Sequence, residues 1–443
     1  MKHLPIYLNR RQFLYFSGLS AAGWLAGCAT NPVTGQSQLM LINEQEEIDL
    51  DKRYVPQQIS TDYGATQDRT LAAYVEKTGK RLAEQSHRPQ MPYSFRVVNA
   101  NYVNAYAFPG GSIAATRGIL LTLDNEAELA ALLGHELGHV NARHTAEIMS
   151  KGMLTNTLVG GLSAIVGTQS SLGGQLAGQL GMLGSGALLA SYSRDNERQA
   201  DALGMEYIVK GGYGSDGMVG LMEMLNSKSK ERQGTFELLF ATHPMSDERY
   251  RTALDQAAKE YSSAKSLPLY RERYMDNTVT LRRIKGAVEE MQNGEKLLSE
   301  EKYSEAEAHF QTALKQAPND YTGLLLMAKS RLAQEKFDDA DKYLTQAQQA
   351  YPQEAQAHYL AGFAKLKQKN YDAAITQFDN YDQRLSGNPA TNFLRGYAYE
   401  KSGKREPAAT NYQRYLKAVN EGKNAQYAYG RLVEWGYLQP PKK

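Results

Sequence analysis

The stretch Ala131-Leu132-Leu133-Gly134-His135-Glu136-Leu137-Gly138-His139-Val140 sets an H-E-x-x-H pattern inside an apolar run. On an α-helix, residues four apart share a face, so His135 and His139 can hold one metal ion with Glu136 beside it. The preceding Asp124-Asn125-Glu126-Ala127-Glu128 supplies a helix start, with Asn125 as N-cap and Glu128 completing a capping-box pattern. A helix is therefore expected on grounds independent of the motif. The pattern is that of a zinc hydrolase, in which the metal takes three protein ligands and leaves a fourth position to water, lowering its pKa from about 15.7 towards about 7. A third ligand must come from elsewhere in the chain.

The best candidate is Glu197, in Ser193-Arg194-Asp195-Asn196-Glu197-Arg198-Gln199-Ala200-Asp201. That stretch reads as a second helix with Glu197 and Asp201 on one face, so Asp201 can accept the free ring N–H of a histidine ligand and fix its tautomer. H-E-L-G-H-V-N-A-R-H followed by E-R-Q-A-D resembles metallopeptidase family forty-eight, the HtpX-like and Oma-like zinc endopeptidases. The resemblance runs over roughly residues 31 to 260, from Asn31-Pro32-Val33-Thr34-Gly35 to Thr242-His243-Pro244. It implies a zincin-type (gluzincin) domain binding one Zn2+ per chain, with His135, His139 and Glu197 as ligands and Glu136 as general base. His144 is a contrast: on a continuous helix, at about 100° per residue, it points nearly opposite to the His135/His139 face and is expected to be structural.

A chain of 443 residues suggests two or three domains. Apolar residues at 42% and charged residues at 22% fit a soluble globular protein. Setting aside residues 1–27 leaves 47 basic and 48 acidic residues, and this balance, with no basic run, argues against nucleic acid as a partner. Residues 1–27 read as an export signal. Asn9-Arg10-Arg11-Gln12-Phe13-Leu14 is similar to the twin-arginine consensus, and the apolar stretch from Phe13 to Trp24 is short for a membrane span. Leu25-Ala26-Gly27-Cys28 resembles a lipobox, which implies a lipid anchor on Cys28, the only cysteine. Ala29 at the next position points to the periplasmic side of the outer membrane; an uncleaved anchor helix and a soluble periplasmic protein are the rivals.

Residues 44–86 read as helical, and Pro92 to Val98 alternates like a strand. Asn104-Ala105-Tyr106-Ala107-Phe108 before Pro109-Gly110-Gly111 reads as a second strand ending in a turn. The family resemblance implies that Asn104–Phe108 is the edge strand that pairs with substrate backbone, which favours extended polypeptide over particular side chains; the plain alternative is an ordinary strand. Residues 152–193 carry no charge between Gly152 and Ser193 and include nine glycines from Gly160 to Gly186. A buried hairpin or a mobile cover over the cleft is expected there, with a membrane-spanning segment as the rival.

The C-terminal part repeats. Gly294, Ala328, Gly362 and Gly396 step by 34, as do Ala306, Ala340, Ala374 and Ala408, and Phe310, Leu344, Phe378 and Tyr412. With Pro318 and Pro352 closing two units, this resembles the tetratricopeptide repeat, a solenoid of helix pairs. Pro389 falls three residues late, which leaves the next helix boundary open. Ala425 to Trp435 is expected to cap the solenoid. The fold class is thus α+β, mainly α, in four parts: a signal over 1–27, a metallopeptidase domain over 28–265, a connecting segment over 266–290 and repeats over 291–443.

Two functions follow. One is a lipid-anchored periplasmic zinc endopeptidase that cleaves misfolded or misassembled envelope polypeptides, its repeats docking substrate or an assembly machine. The other is a chaperone or adaptor acting through the repeats, with latent proteolysis. The combination of exported peptidase and repeats resembles family members linked to outer-membrane β-barrel assembly and quality control. His243, in Phe240-Ala241-Thr242-His243-Pro244, matches a family position too. It is expected either to stabilise the oxyanion or, as a fourth zinc ligand, to hold the enzyme latent.

Overall fold

The computed structural model describes residues 28–154, 191–231 and 234–440. The expected export signal over 1–27 and the expected Gly-rich cover over 160–186 lie outside the described residues. Strands β1 (Cys28–Thr30) and β2 (Ser37–Leu39) form an antiparallel pair. Helix α1 (Glu44–Thr61) starts in a capping box between Asn43 and Glu46, and α2 (Arg69–Ala83) starts on Asp68, whose side chain accepts from the Thr70 and Leu71 amides. Strands β3 (Ser94–Val98), β4 (Ala105–Ala107) and β5 (Ser112–Thr116) make one sheet in the order β3-β5-β4, with β5 parallel to β3 and antiparallel to β4. The short α3 (Arg117–Leu120) leads to α4 (Glu126–Asn141), the H-E-x-x-H helix.

Every residue of α4 is buried, which is why its sequence is apolar nearly all round and lacks a stripe. Asn125 caps it as expected, accepting from the Glu128 amide. After α5 (His144–Leu154), helix α6 (Arg194–Lys210) crosses α4 at close range because small residues line the contact. A Cβ on Gly138 would lie 2.9 Å from Ala200 Cα, and one on Gly134 would lie 3.2 Å from the Gly204 carbonyl. This approach carries Glu197, in the first turns of α6, to the histidines of α4. Helices α7 (Asp216–Glu231), α8 (Glu237–Thr242) and α9 (Asp247–Lys259) complete this part.

The stretch expected to be a connector is built into the peptidase core. It forms α10 (Arg271–Asn277) and α11 (Val279–Arg283), with Tyr274 fully buried and donating to the Leu120 carbonyl at 2.6 Å. Helix α12 (Lys285–Ser299) opens the solenoid and is followed by α13 (Tyr303–Gln316), α14 (Tyr321–Ala333), α15 (Phe337–Ala350), α16 (Gln356–Lys367), α17 (Tyr371–Arg384), α18 (Pro389–Lys401) and α19 (Arg405–Ala418). The small-residue series packs against the bulky one: a Cβ on Gly294, Gly362 or Gly396 would strike Phe310, Phe378 or Tyr412 at 2.3, 2.6 and 2.8 Å. Pro389 has moved from the inter-unit loop to the first helical turn, behind the cap Asn388, where a missing N–H costs nothing. The expected cap is α20 (Lys423–Glu434), which covers Tyr412 and Tyr415 with Ala425, Ala428 and Leu432.

The first units of the solenoid pack on the peptidase part. Val55, Tyr63, Val98, Tyr106 and Phe108 share one apolar cluster with Met291, Phe310, Leu325 and Leu360. No helix among the described residues is long and apolar enough to cross a membrane.

Candidate metal centre

One donor atom each from His135, His139, Glu197 and His243 lies within 4.8 Å of every other, and all four residues are buried. His135 Nε2 and His139 Nε2 are 3.0 Å apart, and Glu197 Oε1 is 3.3 Å from the latter. His243 caps the C-terminus of α8, and its Nδ1 comes 3.1 Å from Glu197 Oε1 and 3.4 Å from His135 Nε2. Two imidazole nitrogens aimed at each other and at a carboxylate leave a surplus of lone pairs over protons. A divalent cation satisfies that arrangement, and His and carboxylate donors suit zinc.

Glu136 lies beside the cluster with Oε2 buried and without a hydrogen-bond partner. Leu132, Leu221, Leu225 and Leu239 help wall this space. Burial pushes the Glu136 carboxyl above its ordinary range, against the pull of His243 and His135. Burial also drives His139 well below the usual imidazole value, leaving it neutral. For Glu197 burial acts upward but is outweighed by His243 and His135, so its carboxyl stays ionised well below the usual range.

A second ring of groups holds these side chains. His135 Nδ1 lies 2.9 Å from Asp201 Oδ1. Arg249 on α9 grips Asp201 through Nε and Nη2 at 2.7 Å each and reaches Glu197 Oε2 through Nη1 at 2.6 Å. The sequence reading missed Arg249, although it carried a signal: a cation in the first turn of a helix opposes the dipole and needs a partner elsewhere. Tyr192 was missed as well; its ring stacks on His139 at 3.7 Å and 22°.

His144 lies outside the four-donor cluster, as expected, but the helix does not continue to it. Helix α4 stops at Asn141, and Arg143 takes a left-handed φ of 61°, held by Glu47 at 2.9 Å and the Ile42 carbonyl at 2.7 Å. The chain therefore reverses, and His144 returns to place Nδ1 2.9 Å from His139 Nδ1. It stays outside the four-donor cluster, yet it touches a member of it.

Strand β4 runs beside α4 as the edge of its sheet. Asn104, Tyr106 and Phe108 face β5, so the N–H and C=O groups of Ala105 and Ala107 point away from the sheet. The Tyr106 side chain turns towards the repeats, where its hydroxyl donates to Asp62.

Residues 69–257 match the profile of peptidase family M48, and residues 325–389 match a tetratricopeptide repeat profile. Metalloprotease YcaL of Escherichia coli is 33% identical over 193 residues, covering 42% of this chain and 73% of that protein. The chain belongs to peptidase family M48. M48 metalloproteases are metal-dependent, and the His135–His139–Glu197–His243 cluster is a set of donors that could hold a metal ion. The M48 chain is also 28% identical to the beta-barrel assembly-enhancing protease of Yersinia pestis over 333 residues, 70% of this chain and 68% of that one. With the Escherichia coli protein of the same name it shares 27% over 243 residues, spanning 54% of this chain and only half the length of the relative.

Proposed function

We propose that this chain is a zinc endopeptidase of the bacterial envelope that cleaves misfolded or misassembled proteins, anchored by lipid at Cys28 on the periplasmic side of the outer membrane. The observation that carries the reading is the convergence of four buried donors beside Glu136, whose Oε2 is buried without a hydrogen-bond partner. His135, His139 and Glu197 would hold the ion, with Asp201 fixing the His135 tautomer. When bound, zinc supplies the Lewis acid that polarises the scissile carbonyl and acidifies water. Glu136 takes the proton from the attacking water and returns it to the leaving amine, a transfer suited to a carboxyl raised by burial.

Substrate backbone pairs with the outward edge of Asn104–Phe108 through Ala105 and Ala107. His243 would serve as a fourth ligand that restrains the enzyme, and its loop would then have to move for substrate to enter. His243→Ala should then raise proteolysis or self-cleavage; a hundredfold slower enzyme would instead assign His243 to the oxyanion. The repeats dock substrate or the outer-membrane assembly machinery, a reading supported by the name that the Yersinia pestis and Escherichia coli relatives carry.

The deciding experiment is Glu136→Gln in the full chain. It should keep its zinc and lose peptide cleavage by about a hundredfold or more. Turnover near the parent rate would sink the mechanism. Full rescue of a deletion strain's envelope phenotype by the same variant would make the chain an adaptor whose proteolysis is dispensable. Crosslinking the variant in cells and identifying the trapped proteins by mass spectrometry would name the substrates.

A further inference from the structure

The two histidines of α4 are backed in different ways. His135 Nδ1 faces the carboxylate of Asp201, itself neutralised by Arg249. His139 Nδ1 faces a second imidazole, His144 Nδ1, at 2.9 Å, and His144 Nε2 continues to Gln199 Oε1 at 2.9 Å. His139 and His144 are buried, at 0% and 1% exposure, and Gln199 is half-buried. Gln199 stands two residues from the donor Glu197 on the same helix.

Resting on the metal-centre reading above, we propose that His144, oriented by Gln199, is a positioning residue that fixes the ring and tautomer of His139. The proton order follows from the acceptors at each end. Gln199 Oε1 can only accept, so His144 carries its hydrogen on Nε2 and offers a lone pair at Nδ1. His139 must then donate from Nδ1, which frees the lone pair of Nε2 to point at Glu197 and His135. The reverse order would put a hydrogen on His139 Nε2, in the middle of the donor cluster. Tyr192, stacked on the same ring, bars its rotation. Ligand histidines usually lean on a carboxylate, a carbonyl or water. A neutral imidazole–amide pair gives the orientation without adding a further buried negative charge to those of Glu197 and Asp201.

The test is zinc affinity of the full chain, measured by chelator competition, with the melting temperature of each metal-free variant as control. His144→Phe should weaken binding by about 10–100-fold. His144→Asn, whose Oδ1 occupies the Nδ1 position, should stay within a few-fold of the parent. Gln199→Glu should tighten binding by making His144 a stronger acceptor, and Gln199→Met should weaken it. Parent-like affinity in His144→Phe overturns the proposal, as does equal weakening in the Asn and Phe variants, which would mark His144 as packing alone. If His144→Phe does not fold, the Gln199 pair decides, and no shift in either overturns it. A parent protein that binds no zinc would sink the metal-centre reading itself, which a selective His144 result cannot do.

Discussion

Two buried polar clusters flank the same small sheet, and they differ in what each is short of. At the junction with the repeats, Asp62 accepts from Gln58 Nε2 at 3.0 Å, from the Tyr102 hydroxyl at 2.8 Å and from the Tyr106 hydroxyl. Glu295 accepts from Asn101 Nδ2 at 2.8 Å and from the Tyr63 hydroxyl at 3.2 Å, and Lys329 donates to that same hydroxyl at 3.3 Å. Donors meet acceptors there, so the cluster nearly closes on itself, with Gln58 Oε1 alone of these groups left without a partner. At the metal centre, acceptors meet acceptors. Burial raises the Asp62 and Glu295 carboxyls, whereas the histidines around Glu197 pull its carboxyl down. A self-satisfied network is architecture; a network lacking protons is waiting for a cation.

The largest way to test that contrast is Arg249→Met. It strips from Asp201 and Glu197 the guanidinium that pairs with both, and an unpaired buried charge of this kind costs about 3–5 kcal/mol. Urea unfolding of the metal-free variant should show a loss of that size, and zinc should restore part of it. Parent-like stability would mean that the carboxylates take protons in place of the arginine. Chelation of the parent comes next. A ligand held at a hundred times its Kd stabilises by about 2.7 kcal/mol, so removing zinc should lower the melting temperature by several degrees. No change on chelation would leave the donor cluster without its cation.

Much of this contrast was legible in the sequence on one side and hidden on the other. His135, Glu136 and His139 could be read because a helix has a fixed period, and Glu197 and Asp201 because a second helix repeats it. The 34-residue step likewise announced the solenoid down to its cap. The position of His144 against His139 could not be read, because the helix breaks before it and the break depends on Arg143 finding Glu47, 96 residues earlier in the chain. Arg249 and the junction cluster are tertiary in the same sense. Lys329 sits in an ordinary repeat helix, and nothing in its neighbours announces that it ends beside Glu295 and Asp62. The connector was misjudged for the same reason, since Tyr274 is buried against Leu120 through contacts no local pattern encodes.

A smaller effect, with a pH signature, is expected for Lys329→Met. Burial holds Lys329 down to about 8, against the pull of Glu295 and Asp62. A depressed lysine weakens the fold while it stays charged, and that penalty is relieved as pH rises from about 8 towards its unfolded value. The raised carboxyls of Asp62 and Glu295 do the opposite: their stabilising contribution is present at low pH and is lost as pH climbs through their folded values. Without the cation both carboxyls should rise further. Near pH 4, where Asp62 and Glu295 hold protons and the buried Lys329 charge is unopposed, the variant should be the more stable by about 2 kcal/mol, and that advantage should shrink towards neutrality as the two carboxylates ionise and attract the charge. Unfolding midpoints at three pH values would show it, and a gap independent of pH would mean that Lys329 acts only by packing.

The smallest effect is expected for Tyr106→Phe, and it asks whether the two clusters are separable. The hydroxyl ties β4 to Asp62, at the end of α1, while the ring fills the apolar cluster shared with the repeats. Removing one oxygen leaves Asp62 with Gln58 and Tyr102 as donors, so the stability loss should be about 1 kcal/mol. The metal donors sit on α4, α6 and the end of α8, and none touches this hydroxyl, so zinc affinity should not move. If β4 receives substrate backbone, loosening its tie should raise KM a few-fold and leave kcat in place, because edge pairing is a binding interaction and the proton transfer belongs to Glu136. A fall in kcat together with weaker zinc binding would show that the junction reaches into the metal centre, and the contrast between a closed cluster and an open one would then describe a single coupled network.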